Sequence, residues 1–195
     1  MPSPKYEISM AAGIMPEATP LQLIEAAAQA DFDYGGMWIE RDDWDSGQLP
    51  GLRKKLSDTG LKLLDSEVAW IMGGDFDPWM LEMVDIAAEL GAQNLLCVSS
   101  DPEAQSTAEK LQKMVDRAKG TGVRVNLEFA LFTEVKSLAA AQAIIDQIDG
   151  DAKGILCDAL HFNRCGMKPA DIAAVSTEYL GYAQLCDAGP QHFKD

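Results

Sequence analysis

The stretch Gly154-Ile-Leu-Cys-Asp-Ala-Leu-His-Phe-Asn-Arg164 combines a short apolar run with three polar groups that can carry chemistry. The apolar run follows a glycine and ends at Asp158, a pattern typical of a buried strand that presents its last side chains at an open end. His161 and Arg164 follow closely in the sequence. A carboxylate, an imidazole and a guanidinium at such an end can bind a divalent metal and an oxygen-rich or anionic substrate.

Two further apolar runs present polar side chains in the same way. Arg124-Val-Asn-Leu-Glu-Phe129 lies about 30 residues upstream and places Glu128 near its end. Tyr182-Ala-Gln-Leu-Cys-Asp187 lies downstream and contains Gln184 and Asp187. A strand end with a solvated charge would explain each run alone, but three such runs at similar spacing favour a shared site.

The whole chain alternates strand-like and helical segments. The strand-like runs begin about every 30 residues, the length of one strand, one helix and two short loops. They are Glu7 to Ala11, Tyr34 to Ile39, Leu61 to Val68, Asn94 to Ser99, Arg124 to Phe129, Gly154 to Cys157 and Tyr182 to Cys186. Helical patterns lie between them at Pro20 to Ala30, Leu49 to Thr59, Trp79 to Leu90, Ala104 to Lys119, Val135 to Ile148 and Pro169 to Ser176. This alternation predicts a parallel sheet, because each helix is the crossover between neighbouring strands.

Two architectures with a parallel sheet compete, a doubly wound open sheet and a (β/α)₈ barrel. An open nucleotide-binding sheet usually has a glycine-rich phosphate loop after its first strand, but Ala12-Gly-Ile-Met-Pro-Glu17 does not match that motif. A barrel places its chemistry at the carboxyl ends of several strands, where the polar residues lie. The pattern therefore predicts a TIM barrel that forms a single domain over residues 1–195.

The number of strands is one too few for a closed barrel. A (β/α)₈ barrel has eight strands and typically about 250 residues, whereas this sequence has 195 and ends just after its seventh strand-like run. Open first and seventh strands would each expose an unpaired edge. We therefore expect that this chain is part of a longer protein whose eighth strand is disordered, removed or supplied by another subunit, and in the last case we expect a homo-oligomer.

Composition excludes several classes of function. The formal net charge of −15 repels phosphate backbones, so nucleic-acid binding is not expected. No apolar run is long enough to span a bilayer, and Met1-Pro-Ser-Pro-Lys-Tyr6 does not resemble a secretory leader. The four cysteines show no CxxC pairing, which favours reduced, partly buried thiols and a cytoplasmic location.

The chain resembles the xylose isomerase-like TIM barrel superfamily, the sugar phosphate isomerases and epimerases. The resemblance is most specific in Leu156-Cys-Asp-Ala-Leu-His-Phe-Asn-Arg-Cys-Gly166 and in Ala183-Gln-Leu-Cys-Asp-Ala-Gly189. It implies that Glu128 and Asp158 bind a divalent metal, and that His161 lies beside the substrate.

The same resemblance reveals two departures from the family pattern. The third metal ligand, often histidine in the family, corresponds here to Gln184, a weaker neutral oxygen donor. The fourth ligand is usually a glutamate on strand eight, which this sequence does not contain. Oxygen and nitrogen ligands without thiolate suit Mn²⁺ or Mg²⁺, with Co²⁺ as a further candidate.

Further roles follow from position and residue type. Glu67 is expected to end strand three on the same rim, where it is the upstream candidate for the general base, although a partly solvated strand-end carboxylate explains it equally well. Glu128 is the other catalytic candidate. Arg164 can bind a carboxylate or phosphate, although a salt bridge to a neighbouring acid explains it equally well. Trp44 and Trp70, in the loops after strands two and three, can stack on sugar faces, or simply pack the barrel top.

Three functions remain open from the sequence. The leading one is a metal-dependent isomerase or epimerase that removes a proton beside a metal-bound carbonyl of a small sugar-like or polyol substrate. A dehydratase of a cyclic keto-polyol, of the inosose or 3-dehydroshikimate type, begins with the same step. A non-catalytic ligand-binding or partner subunit with a degenerate metal site is the third.

Overall fold

The structure is a computed structural model that describes residues 6–189. These residues form one parallel sheet in which each strand pairs with its neighbours in sequence. The strands are β1 (Ser9–Met10), β2 (Tyr34–Trp38), β3 (Lys62–Ile71), β4 (Asn94–Ser99), β5 (Arg124–Glu128), β6 (Lys153–Asp158) and β7 (Leu180–Gln184). The predicted parallel order of the strands is confirmed.

The helices connect the strands, and local sequence explains several of their ends. They are α1 (Pro20–Gln29), α2 (Leu49–Thr59), α3 (Trp79–Leu90), α4 (Ala104–Ala118), α5 (Leu138–Ile145), α6 (Ala159–Arg164) and α7 (Pro169–Ile172). Thr19 caps α1 by accepting a hydrogen bond from the Gln22 backbone N–H at 3.4 Å. Gly60 and Gly91 end α2 and α3 in the left-handed conformation that glycine adopts without strain.

A hydrogen bond between distant strands reveals that the sheet is curled. The Gln184 side-chain amide on β7 donates to the Glu67 carboxylate on β3 at 2.8 Å. In a flat sheet these strands would be about 19 Å apart, because neighbouring strands lie about 4.8 Å apart. The seven strands therefore curl into an incomplete barrel, and residues 6–189 contain no eighth strand. This confirms the predicted TIM-barrel class with one strand missing.

Apolar side chains form two separate layers around this sheet. The larger layer lies between the strands and the helices, and it includes the fully buried Ile24, Leu52, Met83, Leu111, Leu127 and Phe129. The smaller layer fills part of the barrel interior with Leu96, Val98 and Leu156, against which Val68 and Tyr182 pack. Burial of the outer layer stabilises the fold, while the small inner layer leaves the rest of the interior to polar side chains.

The third strand is longer than the sequence predicts. It continues past Val68 to Ile71 because its last residues pair with β4. The prediction that Trp70 lies in a loop is therefore wrong, since Trp70 is a strand residue. Glu67 likewise lies within β3 and not at its end.

The sixth crossover, between β6 and β7, also differs from the prediction. An unpredicted helix, α6, begins directly after β6, because Asp158 caps it by accepting hydrogen bonds from two backbone N–H groups. The predicted helix from Pro169 to Ser176 shortens to α7, and β7 begins and ends two residues before the predicted segment. The α5 helix starts late because Ser137 caps it through the Ala140 N–H at 3.1 Å.

Other expectations concern cysteines, membranes and the chain ends. All four cysteines are free thiols; Cys97 and Cys157 are buried, but Cys186 is exposed and lies just beyond β7, not within it as predicted. In the described part of the chain, none of the helices has both the length and the apolar character needed to cross a membrane. The single domain over residues 1–195 stays a prediction, because both ends lie outside the described residues.

Candidate functional site

Two acids of β3 face the barrel interior. Asp65 and Glu67 are two residues apart, so their side chains point to the same face of the sheet, and both are buried. On the neighbouring strand, Gly36 leaves space for the Asp65 carboxylate, since a Cβ atom at position 36 would lie 2.6 Å from Asp65 Oδ1. Burial raises the pKa of Asp65, while burial and then the charge of Asp65 raise the pKa of Glu67 to about 8.

Hydrogen bonds from two other strands hold these acids. The Trp38 indole N–H on β2 donates to Glu67 Oε2 at 3.0 Å. The Gln184 amide on β7 donates to Glu67 Oε1 at 2.8 Å and to Asp65 Oδ2 at 3.3 Å. Gln184, predicted as a metal ligand, therefore contacts Glu67, predicted as a general base, across the barrel.

The Glu128 carboxyl at the end of β5 is buried without a hydrogen bond to any residue between 6 and 189. Its own burial, followed by the charges of Asp158 and Asp65, raises its pKa to about 8. An isolated buried carboxyl of this kind is costly, and it favours either a bound proton or a bound cation.

Asp158 ends β6 and begins α6. Its Oδ1 atom accepts hydrogen bonds from the Leu160 and His161 N–H groups at 2.8 and 3.0 Å. Its Oδ2 atom accepts a hydrogen bond from the Cys186 thiol at 2.9 Å. Although the Cys186 residue as a whole is exposed, partial desolvation of its thiol and then this bond to Asp158 raise the pKa of Cys186 to about 12, so the thiol stays a neutral donor.

The four interior acids are not balanced by salt bridges within the described residues, although the charge of Asp158 acts on the nearby His161 imidazole. No salt bridge in the range 6–189 involves Asp65, Glu67, Glu128 or Asp158. Within that range, no group of three or more His, Cys, Asp and Glu side chains is arranged to hold a metal ion. The two carboxylates and one amide oxygen of Glu128, Asp158 and Gln184 nevertheless fit a hard divalent cation, because the buried Glu128 carboxyl is otherwise unpartnered.

Aromatic rings form one side of the barrel mouth. The rings of Phe132 and His161 lie edge to face with centroids 5.2 Å apart, and those of Phe132 and Trp70 are 6.1 Å apart. The Trp70 indole N–H donates to Ser100 Oγ at 2.9 Å, which fixes that ring. Phe132 and Trp70 remain 56% and 45% exposed, so they present an apolar surface to solvent beside the imidazole.

The structure thus brings most of the predicted site residues together. Glu67 contacts Gln184, Asp158 pairs with Gln184 across β6 and β7, and Trp70 connects to His161 through Phe132. Burial of the imidazole lowers the pKa of His161; the charge of Asp158 opposes this shift, and the charge of the half-buried Arg164 on α6 adds to it. The roles assigned to all of these residues stay predictions.

Trp44 lies apart from this group. It packs against the outer apolar layer, and no hydrogen bond or ring contact in the described chain joins it to the interior acids. Its packing supports the simpler of the two sequence interpretations, although its role in substrate binding stays a prediction.

Sequence reasoning missed five residues of the site: Trp38, Asp65, Phe132, Tyr182 and Cys186. Alternation along β3 could have revealed Asp65, because it lies two residues before Glu67. Nothing local distinguishes Trp38 or Phe132 from core aromatics. Tyr182 lies deeper in the barrel against Leu96, and its buried hydroxyl has no hydrogen-bond partner of normal geometry among the described residues.

Several solved structures have folds similar to that of this chain. A xylose isomerase-like TIM barrel/4-hydroxyphenylpyruvate dioxygenase fusion protein matches with a TM-score of 0.83 at 19% sequence identity. The match covers 98% of this chain and 33% of the fusion protein. An IolI protein with a bound zinc atom matches with a TM-score of 0.77 at 16% sequence identity, and the match covers 92% of this chain and 72% of the IolI chain. The 3-keto-D-glucoside 4-epimerase of E. coli matches with a TM-score of 0.75 at 18% sequence identity, and the match covers 94% of this chain and 80% of the epimerase. At these identities the likeness establishes the fold alone.

Sequence comparison places the chain in a family. No curated protein matches it significantly. A family model described as the xylose isomerase-like TIM barrel matches residues 24–194, which is most of the chain. With this match and the curled parallel sheet, the protein belongs to the xylose isomerase-like TIM barrel family.

Proposed function

We propose that this chain carries the active site of a divalent-metal-dependent isomerase or epimerase that acts on a small sugar-like or polyol substrate. The observation that carries the proposal is the set of four buried interior acids that form no salt bridge with a residue in the range 6–189. The names of structural neighbours, among them a sugar epimerase, agree with this reaction class. Because the chain covers 33% of the fusion protein, the activity of any longer protein belongs to the same proposal.

Three residues are the proposed holders of the ion. Glu128 and Asp158 offer carboxylate oxygens, and Gln184 offers its amide oxygen, a set that suits Mn²⁺ or Mg²⁺ and also accepts Co²⁺. When bound, such an ion supplies polarisation of a substrate carbonyl. The zinc atom named for the IolI neighbour supports a divalent ion in this family, without fixing which one this chain prefers.

Proton transfer is the task of a carboxylate in this proposal. In the metal-free protein, Glu128 and Glu67 both have a pKa raised to about 8, mainly by burial. Each Glu67 oxygen already accepts one hydrogen bond, from Trp38 or Gln184, whereas the Glu128 carboxyl accepts none from a described residue. We therefore assign the first proton transfer to Glu128.

The mouth of the barrel offers two kinds of contact to a substrate. The rings of Trp70 and Phe132 can pack against the C–H face of a sugar or cyclic polyol, because that face is apolar while its rim is hydroxylated. His161 and Arg164 can hydrogen-bond hydroxyl or anionic groups beside it. A dehydratase of a cyclic keto-polyol would use the same contacts and the same first proton transfer.

The direct test is proton exchange in deuterated water. With Mn²⁺ present, D-fructose, D-allulose and 2-keto-myo-inositol should be screened by NMR for deuterium uptake beside the carbonyl. An isomer with the same atoms identifies an isomerase or epimerase, and loss of water with a new double bond identifies the dehydratase. Absence of exchange with every substrate would count against the proposed chemistry.

His161→Ala should reduce exchange by at least about tenfold while leaving the melting temperature within a few degrees. The reason is that the half-buried imidazole lies on the rim and contacts Phe132, not the apolar core. Asn163→Ala, an exposed position on the same α6 helix, is the matched control and should leave both quantities unchanged. A large loss of stability with ligand binding intact would instead identify His161 as a core residue.

A further inference from the structure

Both hydrogens of the Gln184 side-chain amide already take part in hydrogen bonds to acids. Its Nε2 atom carries two hydrogens, and it donates to Glu67 Oε1 at 2.8 Å and to Asp65 Oδ2 at 3.3 Å. The Oε1 atom makes no hydrogen bond to a described residue. The carbonyl oxygen is therefore the one group that this amide has left for a ligand.

The Glu67 carboxyl that receives this amide is itself fixed from the opposite side. Trp38 donates its indole N–H to Oε2 at 3.0 Å, so each Glu67 oxygen accepts one hydrogen bond. Trp38 and Glu67 are register partners on β2 and β3, which makes this bond a contact between neighbouring strands. The ring of Trp38 also packs against the outer apolar layer, which limits its movement.

Strand pairing places Gln184, the last residue in the chain of hydrogen bonds from Trp38 through Glu67, beside Asp158 of the proposed ion site. Gln184 and Asp158 are partners on β7 and β6. In the structure the amide hydrogens, and not the amide oxygen, face the oxygens of Glu67 and Asp65. The contacts on β2 and β3 thus select the rotamer of a residue on β7.

We propose that Trp38 and Glu67 are positioning residues, which hold the Gln184 amide with its carbonyl oxygen available to a cation at Glu128 and Asp158. The inference rests on the proposed function, and it gives Glu67 a role different from the general base that its sequence position suggests. Neither residue need touch the ion, because each acts through Gln184.

The first test uses the chain without any metal. The side-chain amide signal of Gln184, assigned by its loss in Gln184→Met, should exchange with water at least about fivefold more slowly than that of the exposed Gln29. Trp38→Phe keeps an aromatic ring and all charges but removes the donor to Glu67, so the amide signal should shift and lose this protection. Trp79→Phe is the matched control, because it removes an indole on α3 that makes no hydrogen bond to the interior acids in the described chain.

The second test measures Mn²⁺ affinity by calorimetry. Trp38→Phe should weaken binding by about tenfold, and Glu67→Gln by about 10- to 100-fold, whereas Trp79→Phe should bind as the wild type does. At saturating Mn²⁺, Glu67→Gln should keep proton exchange within about tenfold of wild type. A general base would lose about a hundredfold or more under the same conditions.

The outcomes separate this inference from the function on which it rests. An unprotected Gln184 amide in the wild type, or one that Trp38→Phe leaves unchanged, overturns the positioning role whatever the metal affinity. A protected amide that responds to Trp38→Phe in a chain without Mn²⁺ affinity supports the positioning role and overturns the proposed ion site. Glu67→Gln with full Mn²⁺ affinity and no exchange would restore Glu67 as the base.

Discussion

Glu128→Gln is expected to stabilise the metal-free protein by about 3 kcal/mol at pH 8. Burial and the charges of Asp158 and Asp65 raise the pKa of Glu128 to about 8 from an ordinary value of 4.5. Each unit of such a shift corresponds to about 1.4 kcal/mol, of which solvent at the barrel mouth screens a part. Glutamine keeps the shape of the side chain and removes the ionisation that the folded state opposes.

The sign of the effect follows from proton binding. The folded state holds the Glu128 proton more tightly than the unfolded state does, so the free energy of unfolding falls as pH rises from about 5 to about 8. The advantage of Glu128→Gln should therefore be small at pH 4.5 and largest near pH 8. Urea unfolding with EDTA at these two pH values measures it.

An exposed glutamate is the appropriate control for this measurement. Glu109→Gln, on the outer surface of α4, should change the free energy of unfolding by less than about 0.5 kcal/mol at either pH. If Glu128→Gln were neutral or destabilising at pH 8, the Glu128 carboxyl would have to be solvated or paired, contrary to its position in the structure.

Gly154→Ala is expected to destabilise the protein by about 3 kcal/mol. A Cβ atom at position 154 would overlap the Asn126 side-chain oxygen and would lie 3.0 Å from both the Tyr179 carbonyl oxygen and Arg124 Cδ. Gly154 lies in β6, which pairs on both sides with β5 and β7, so the backbone has little room to move. The cost is steric and should be independent of metal.

Chemical denaturation of Gly154→Ala and Gly51→Ala compares this cost with a neutral case. Gly51 lies in α2 with nothing within 4 Å of its added Cβ atom, so alanine there should stabilise by about 0.5–1 kcal/mol. Equal stability of the two variants would mean that the barrel interior around Asn126 is looser than described.

The strand order was predictable because parallel strands covered by helices are almost continuously apolar. Each such run is visible in the sequence, and helices between runs fix the sheet as parallel. The register was less accessible, since β7 is covered only in part: Leu180, Tyr182 and Gln184 alternate with the exposed Gly181 and Ala183. The strand predicted from Tyr182 to Cys186 included Leu185 because that residue is apolar, but its side chain is 87% exposed.

The site was predictable where chemistry lies at a strand end and hidden where it comes from pairing between distant strands. Glu128 and Asp158 were identified because each is a carboxylate at the close of an apolar run. The role proposed for Trp38 depends on its hydrogen bond to Glu67. The role proposed for Glu67 depends on its hydrogen bond from Gln184, which lies 117 positions later in the sequence. No local pattern encodes a contact that exists only after the sheet curls.

The most direct test of the proposed cation site is Mn²⁺ calorimetry on the wild type and on Asp158→Asn. Asparagine still caps α6 through its side-chain oxygen, so the fold and melting temperature should remain within a few degrees. Loss of the carboxylate charge should weaken Mn²⁺ binding by about a hundredfold. Wild-type binding with this loss is the predicted result; equal titration of the two proteins, or no binding by the wild type, would contradict it.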